Sequence, residues 1–172
     1  MNSNSNGSTV AFKAGTVAID LFSATTYDSL SLSNGTRPLT VTYSGGGHPG
    51  SRLSLNLGYI PGAGEAFRIM SIAGTTTTTG ALDTPDSGTT VYGAQGGWLH
   101  KFDVLYNSSL GGGDGNDLVL QRSADTTAYP YEWGIDASGA WSAADAALEN
   151  WRHYVQPDGA DAHVLFGSAV TA

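Results

Sequence analysis

Residues 52–57 read RLSLNL, a strict alternation in which Leu53, Leu55 and Leu57 are separated by Ser54 and Asn56. A period of two sends successive side chains to opposite faces of an extended chain. The hexapeptide therefore predicts a strand with leucines turned to a core and polar groups turned to water. Outward from it the same pattern recurs. Toward the N-terminus lie STVAF (8–12), TVAIDLF (16–22), YDSLSLS (27–33), with Leu30 and Leu32 as its buried set, and PLTVTYS (38–44). Toward the C-terminus lie EAFRIMSI (65–72), TTVYG (89–93), WLHKFDVLY (98–106), expected to be the best-buried strand, and LVLQ (118–121). Asn34-Gly35, Gly45-Gly46-Gly47 and Pro61-Gly62 punctuate the runs, and Asn34-Gly35 predicts a type I′ hairpin. The threonine tract from Thr75 to Thr79 reads as a solvent-facing strand or loop edge.

Composition agrees with an all-β chain. Of 172 residues, 40% are hydrophobic, only 13% are charged and 24 are glycine, a mixture suited to pleated surfaces and positive-φ corners. The length fits one domain or one module of a longer array. Net charge is −8 and the seven Lys and Arg are scattered singly, so no basic patch exists to meet a nucleic-acid backbone. There are no cysteines, which removes disulfides, thiolate metal sites and cysteine catalysis. No apolar run approaches the roughly 18 residues of a membrane span. The opening MNSNSNGST has neither the charged nor the apolar region of an export signal, so none is visible in this chain.

The organisation divides at residue 123. Residues 1–123 form the β body, and 124–172 form an arm rich in Ala, Asp and Trp. Ser142 is placed to cap a short helix over 143–152, AADAALENWR, and the arm closes with the strand-like AHVLFGSAV at 162–170.

Chemistry-bearing motifs are few. Residues 112–120, GGDGNDLVL, fit the nonapeptide that binds calcium in stacked β-rolls, with Asp114, Asn116 and Asp117 as the oxygen donors. Calcium takes six to eight oxygens, so one nonapeptide supplies about half a site. The other glycine cluster, GGHPGSRL at 46–53, has Pro where the third Gly belongs and Ser where the Asp belongs. The favoured reading is a tight turn, with Gly115 or Asn116 at positive φ and Asp117 bonding the turn's backbone. His48, His100, His153 and His163 have no metal-binding spacing, and no nucleophile elbow is present. Glu65, Glu132 and Glu149 are the carboxylates from which a glycosidase pair would have to come, and spacing joins no two of them. No catalytic residue and no cofactor beyond calcium is expected. Trp98, Trp133, Trp141, Trp151 and eight tyrosines form either a sugar-stacking platform or, the favoured reading, a satellite core of Trp133, Trp141 and Trp151. Asn6, Asn34 and Asn107 head glycosylation triplets of the kind that arise by chance in a Ser, Thr and Asn-rich chain.

Two blocks carry a family resemblance. The first is Tyr59-Ile60-Pro61-Gly62, Gly64-Glu65-Ala66-Phe67-Arg68-Ile69, Phe102-Asp103-Val104-Leu105-Tyr106 and Gly113-Asp114-Gly115-Asn116-Asp117-Leu118-Val119-Leu120. It resembles the closing part of autotransporter-associated β-strand repeat modules. The second, Trp133, Gly139-Ala140-Trp141, Asn150-Trp151, Pro157 and Phe166-Gly167, is similar to the opening part of the same modules. The resemblance implies a bacterial surface protein, extracellular and built as a β-solenoid, with no catalysis. An antiparallel sandwich or jelly roll is the alternative fold. Here the module's ending precedes its beginning, so the C-terminal segment is expected to pair with the N-terminal strands of the next copy. Trp133, Trp141, Trp151 and Phe166 are the expected contacts. The expected role is a structural subunit of a fibre, surface layer or stalk, with a glycan-binding or adhesin module as the alternative.

Overall fold

The computed structural model describes residues 8–33, 39–43, 51–73, 76–133, 151–157 and 161–166. A first coil runs through β1 (Ser8–Phe12), β2 (Gly15–Leu21) and β3 (Leu30–Leu32). A second runs through β4 (Leu39–Tyr43), β5 (Ser51–Leu57) and β6 (Ala66–Ile72), and a third opens with β7 (Thr76–Gly80) and β8 (Thr90–Gln95). Each strand lies parallel to its counterpart one coil away: β1 on β4 on β7, β2 on β5 on β8, and β3 on β6. This is a three-faced parallel β-solenoid, and the sandwich alternative is set aside.

Stacking in register puts like on like. Val10 pairs with Val41, Val17 with Leu53, Ile19 with Leu55, Leu21 with Leu57 and Leu32 with Ile72. The alternation of RLSLNL thus fills the core with Leu53, Leu55 and Leu57, each at most 6% exposed. A leucine so covered contributes about 1.5–3 kcal/mol relative to an exposed one. Phe12, Tyr43 and Tyr106 form an aromatic file, with Phe12 stacked on Tyr43 at 5.6 Å and Tyr106 meeting Tyr43 edge-on at 5.3 Å.

This stacking corrects the Asn34-Gly35 hairpin. That turn would have made the strands on either side of it antiparallel neighbours, yet β3 pairs with β6 while β4 pairs with β1 and β7. The two strands belong to different faces. Residues 34–38 themselves lie outside the described residues.

The third coil closes differently from the others. From β8 the chain reverses through Gly96-Gly97 into β9 (Trp98–Ser108), antiparallel to β8. After a 3-10 turn at Leu110–Gly112 the chain enters β10 (Asp117–Arg122), which pairs antiparallel with both β9 and β6. The order β2-β5-β8-β9-β10-β6-β3 therefore joins two solenoid faces around their C-terminal end. In WLHKFDVLY, His100, Phe102 and Val104 are buried, each at most 5% exposed, but Trp98 and Tyr106 are half-buried and β10 is the more fully buried strand, because it runs between β9 and β6.

The arm docks on the outside of the β8–β9 hairpin. Tyr129 bridges to Leu99, and β11 (Tyr131–Trp133) pairs in parallel with β12 (Val164–Phe166). Tyr92, Leu99, Tyr131, Trp133 and Trp151 form a second small core there. Of the helix expected over 143–152, residues 143–150 lie outside the described residues; Trp151 makes a bridge to Trp133, and Arg152 lies in a turn.

Candidate functional site

The GGDGND stretch is a stapled turn. Asp117, 1% exposed, accepts the Ile72 amide on Oδ1 at 2.7 Å and the Asp114 amide on Oδ2 at 3.3 Å. Arg68 Nη1 stands 3.6 Å from the same carboxylate. One buried group thus ties the turn to β6 and neutralises its own charge. Glycine is required on both sides of Asp114 for different reasons. Gly115 has φ +99, which side chains rarely adopt, and a Cβ on Gly113 would lie 2.5 Å from Asp117 Oδ2 and 2.7 Å from the Ser108 carbonyl. Of the three proposed calcium donors, Asn116 and Asp117 are buried and Asp114 is exposed. No group of three or more His, Cys, Asp or Glu is arranged to hold a metal among the described residues.

The other candidates are dispersed. Trp133 and Trp151, 6% and 1% exposed, meet edge to face at 5.1 Å and 84°. That is the geometry of a packed core rather than of an open stacking platform. Trp141 lies outside the described residues, and Phe166 is 49% exposed on β12. Trp98 stacks on His163 at 3.9 Å, and His153 lies on Tyr92 at 4.1 Å. Burial lowers the pKa of both His100 and His153. His48 and Glu149 lie outside the described residues. Glu65 accepts from the Tyr59 hydroxyl at 2.8 Å and the Gly62 amide at 2.9 Å, so it holds the Pro61-Gly62 turn. Glu132 is paired with Arg152 at 2.9 Å. Each carboxylate has a structural partner, and these two are not paired with each other.

What sequence reasoning missed is the condition of the first coil. Val10, Phe12, Val17 and Leu32 share core-facing register with buried partners, yet remain half-buried. Leu30, in register with Met70, is 41% exposed, which corrects its expected burial. The partners Val41, Tyr43, Leu53, Met70 and Ile72 are at most 4% exposed. Ile19 and Leu21 of the first coil are buried like their partners, so the difference lies in Val10, Phe12, Val17, Leu30 and Leu32, where among the described residues the second coil is covered on both sides and the first on one.

The backbone of β2 shows the same asymmetry. Leu21 turns its carbonyl inward to the Gly58 amide at 2.8 Å, which places the even residues' amides on the outer edge. Asp28 clips the end of that edge, its Oδ2 accepting the Asp20 amide at 3.1 Å and its own amide donating to the Asp20 carbonyl at 2.9 Å. Thr16 and Ala18 then present the remaining edge amides. At the opposite end β7 is the outer strand of its sheet, while β9 and β10 close the other two faces. No signal in the sequence marks which coil is last, because Val10 and Val17 look like any core valine.

No protein-family model matches the chain, and neither a curated protein nor a solved structure matches it. None of these comparisons identifies it with the autotransporter-associated repeat.

Proposed function

We propose that this chain is a structural module of an extracellular bacterial fibre, surface layer or stalk, acting by stacking rather than by chemistry. The half-covered first coil carries the reading. A solenoid is a one-dimensional stack whose terminal coils need a cap, and here, among the described residues, one end has β9, β10 and the arm while the other exposes Leu30 and the edges of β1, β2 and β3. The stacking partner is a second copy. A neighbour's β1 laid along β7 continues the parallel ladder β1-β4-β7 from one subunit into the next, a head-to-tail contact that repeats as a filament.

In this reading the edge of β7 makes the contact in place of the C-terminal segment, because Val164–Phe166 pairs with β11 of its own chain.

Light scattering and electron microscopy across a concentration series test the reading. Association into filaments is expected for the native chain, and it should be abolished by Leu30→Lys. That substitution puts a charge at the uncovered side of the first coil, against the closed end of the neighbour. It should leave monomer stability within about 0.5 kcal/mol, as for an exposed position. A native chain that stays monomeric at high concentration sinks the proposal.

A further inference from the structure

Beyond Trp151 the arm returns across the outer face of the solenoid, and beneath it lies a cleft of about 340 Å³. Its floor is the polar side of the ladder whose leucines fill the core, with Thr16 from β2 and Arg52 and Ser54 from β5. Tyr92 of β8 forms one wall, and Tyr154 and Gln156 of the arm form the other. The volume falls at the lower end of the range of small-molecule sites.

Three features describe what such a cleft would hold. First, the Oε1 atom of Gln156 is buried and has no hydrogen-bond donor among the described residues. A buried acceptor without a donor is uncommon, and a ligand hydroxyl would satisfy it. Second, the cationic group is locally neutralised. Arg52 Nε lies 3.8 Å from the Asp83 carboxylate, and the guanidinium sits 5.3 Å from the centroid of the Tyr154 ring. With a net charge of −8 on the chain, the cleft does not favour an anion. Third, Tyr154 is held at φ 55, a left-handed conformation that a bulky residue adopts only when its surroundings impose it. Hydroxyls, a guanidinium and an amide alternate with aromatic and aliphatic surface, which suits a ring bearing hydroxyls at its rim and C–H groups on its face. Thr16, Arg52, Ser54 and Gln156 interrupt the apolar lining of Leu53, Leu55, Val91 and Val155, so a lipid chain would find no continuous apolar channel. The floor is also the face of a sheet and not its edge, so it offers an extended peptide no ladder to join.

We propose that this cleft binds one sugar ring of a neutral glycan, with Gln156 Oε1 accepting from a ring hydroxyl and Thr16, Ser54 and Arg52 supplying the remaining polar contacts. Tyr154 flanks the ring. The site shares Thr16 with the outer edge of β2, but a glycoside bound by the dilute monomer is read without any fibre, so the proposal stands or falls independently of the fibre reading.

The test is a titration of the full chain, followed by backbone amide chemical shifts, with the methyl glycosides of glucose, galactose and N-acetylglucosamine as probes and glucuronate as the charged comparator. At least one neutral glycoside is expected to shift the amides of Thr16, Ser54 and Gln156 with a Kd of about 1 mM. Ser54→Leu, which fills the floor from an exposed strand position, should weaken that binding at least tenfold. Gln156→Leu should do the same while raising Tm, because it removes a buried acceptor that lacks a donor. A glutamine that served only packing would lower Tm when replaced. The proposal is overturned if no neutral glycoside shifts these amides, if only glucuronate does, or if both variants bind like the native chain.

Discussion

Asp117 shows how one side chain converts a metal-like motif into a fastener. Its oxygens take the Ile72 and Asp114 amides and face Arg68, so the carboxylate is consumed by its own turn. Asp117→Asn keeps the size but loses the charge and places an NH2 group against one of these donors. A loss of about 2–4 kcal/mol in urea unfolding is expected. The histidines set a pH dependence at the same scale. His100 donates Nε2–H to the Gln95 carbonyl at 3.2 Å and is 5% exposed. Burial holds its pKa, like that of His153, below the ordinary 6.5. The unfolded chain therefore binds more protons than the folded one below about pH 6.5, and stability should fall as pH drops through that point. Asp125 acts lower on the scale. Bonds from the Thr127 hydroxyl and amide, then from Tyr129, hold its carboxyl down to about 2, so its contribution is present above the ordinary 3.8 and is lost as pH falls toward 2. Urea midpoints between about pH 7.5 and pH 5 check the histidine arm, with His100→Gln expected to flatten the slope.

Individual strands were largely legible, because alternation is a local property. RLSLNL, TVAIDLF and WLHKFDVLY all form strands, and Leu53, Leu55 and Leu57 lie inward as their spacing requires. Turns were less legible, since a turn motif states that the chain bends without naming the strands it joins. Asn34-Gly35 carried the stronger hairpin signature, yet its flanking strands lie on separate faces. The hairpin that does form is at Gly96-Gly97, where both residues have positive φ. That turn also seats the arm, because a Cβ on Gly97 would lie 2.1 Å from the Asp161 carbonyl and His163 donates its amide to the Gly97 carbonyl at 3.0 Å. Gly97→Ala should therefore loosen the arm before it unfolds the body. Tryptophan fluorescence is expected to shift toward that of exposed indole at a lower urea concentration than the loss of β circular dichroism, whereas the native chain should show coincident transitions.

For the molecule as a whole, protection should follow position in the stack. β5, β6 and β10 are paired on both sides, whereas β1 and β3 are edge strands. Hydrogen exchange in dilute protein is expected to be fastest in β1 and β3 and slowest in β5, β9 and β10, and the first coil should become protected once filaments form. Equal protection of β1 and β5 in the monomer would contradict the open-end reading. The candidate site was the least visible feature in the sequence. Asp114, Asn116 and Asp117 were conspicuous in the sequence and lie at the entry to β10, while Thr16, Ser54 and Gln156 are unremarkable residues that meet only when the arm folds back. From its residues alone the chain was bound to be all-β, free of thiol chemistry and lacking a basic surface, since period, composition and charge do not depend on what pairs with what. Three-dimensional packing settled which face each strand joined, which coil was left half-covered and which polar groups lined a common cleft. Those are relations between residues tens of positions apart, and they follow from stacking one coil on another rather than from any local preference.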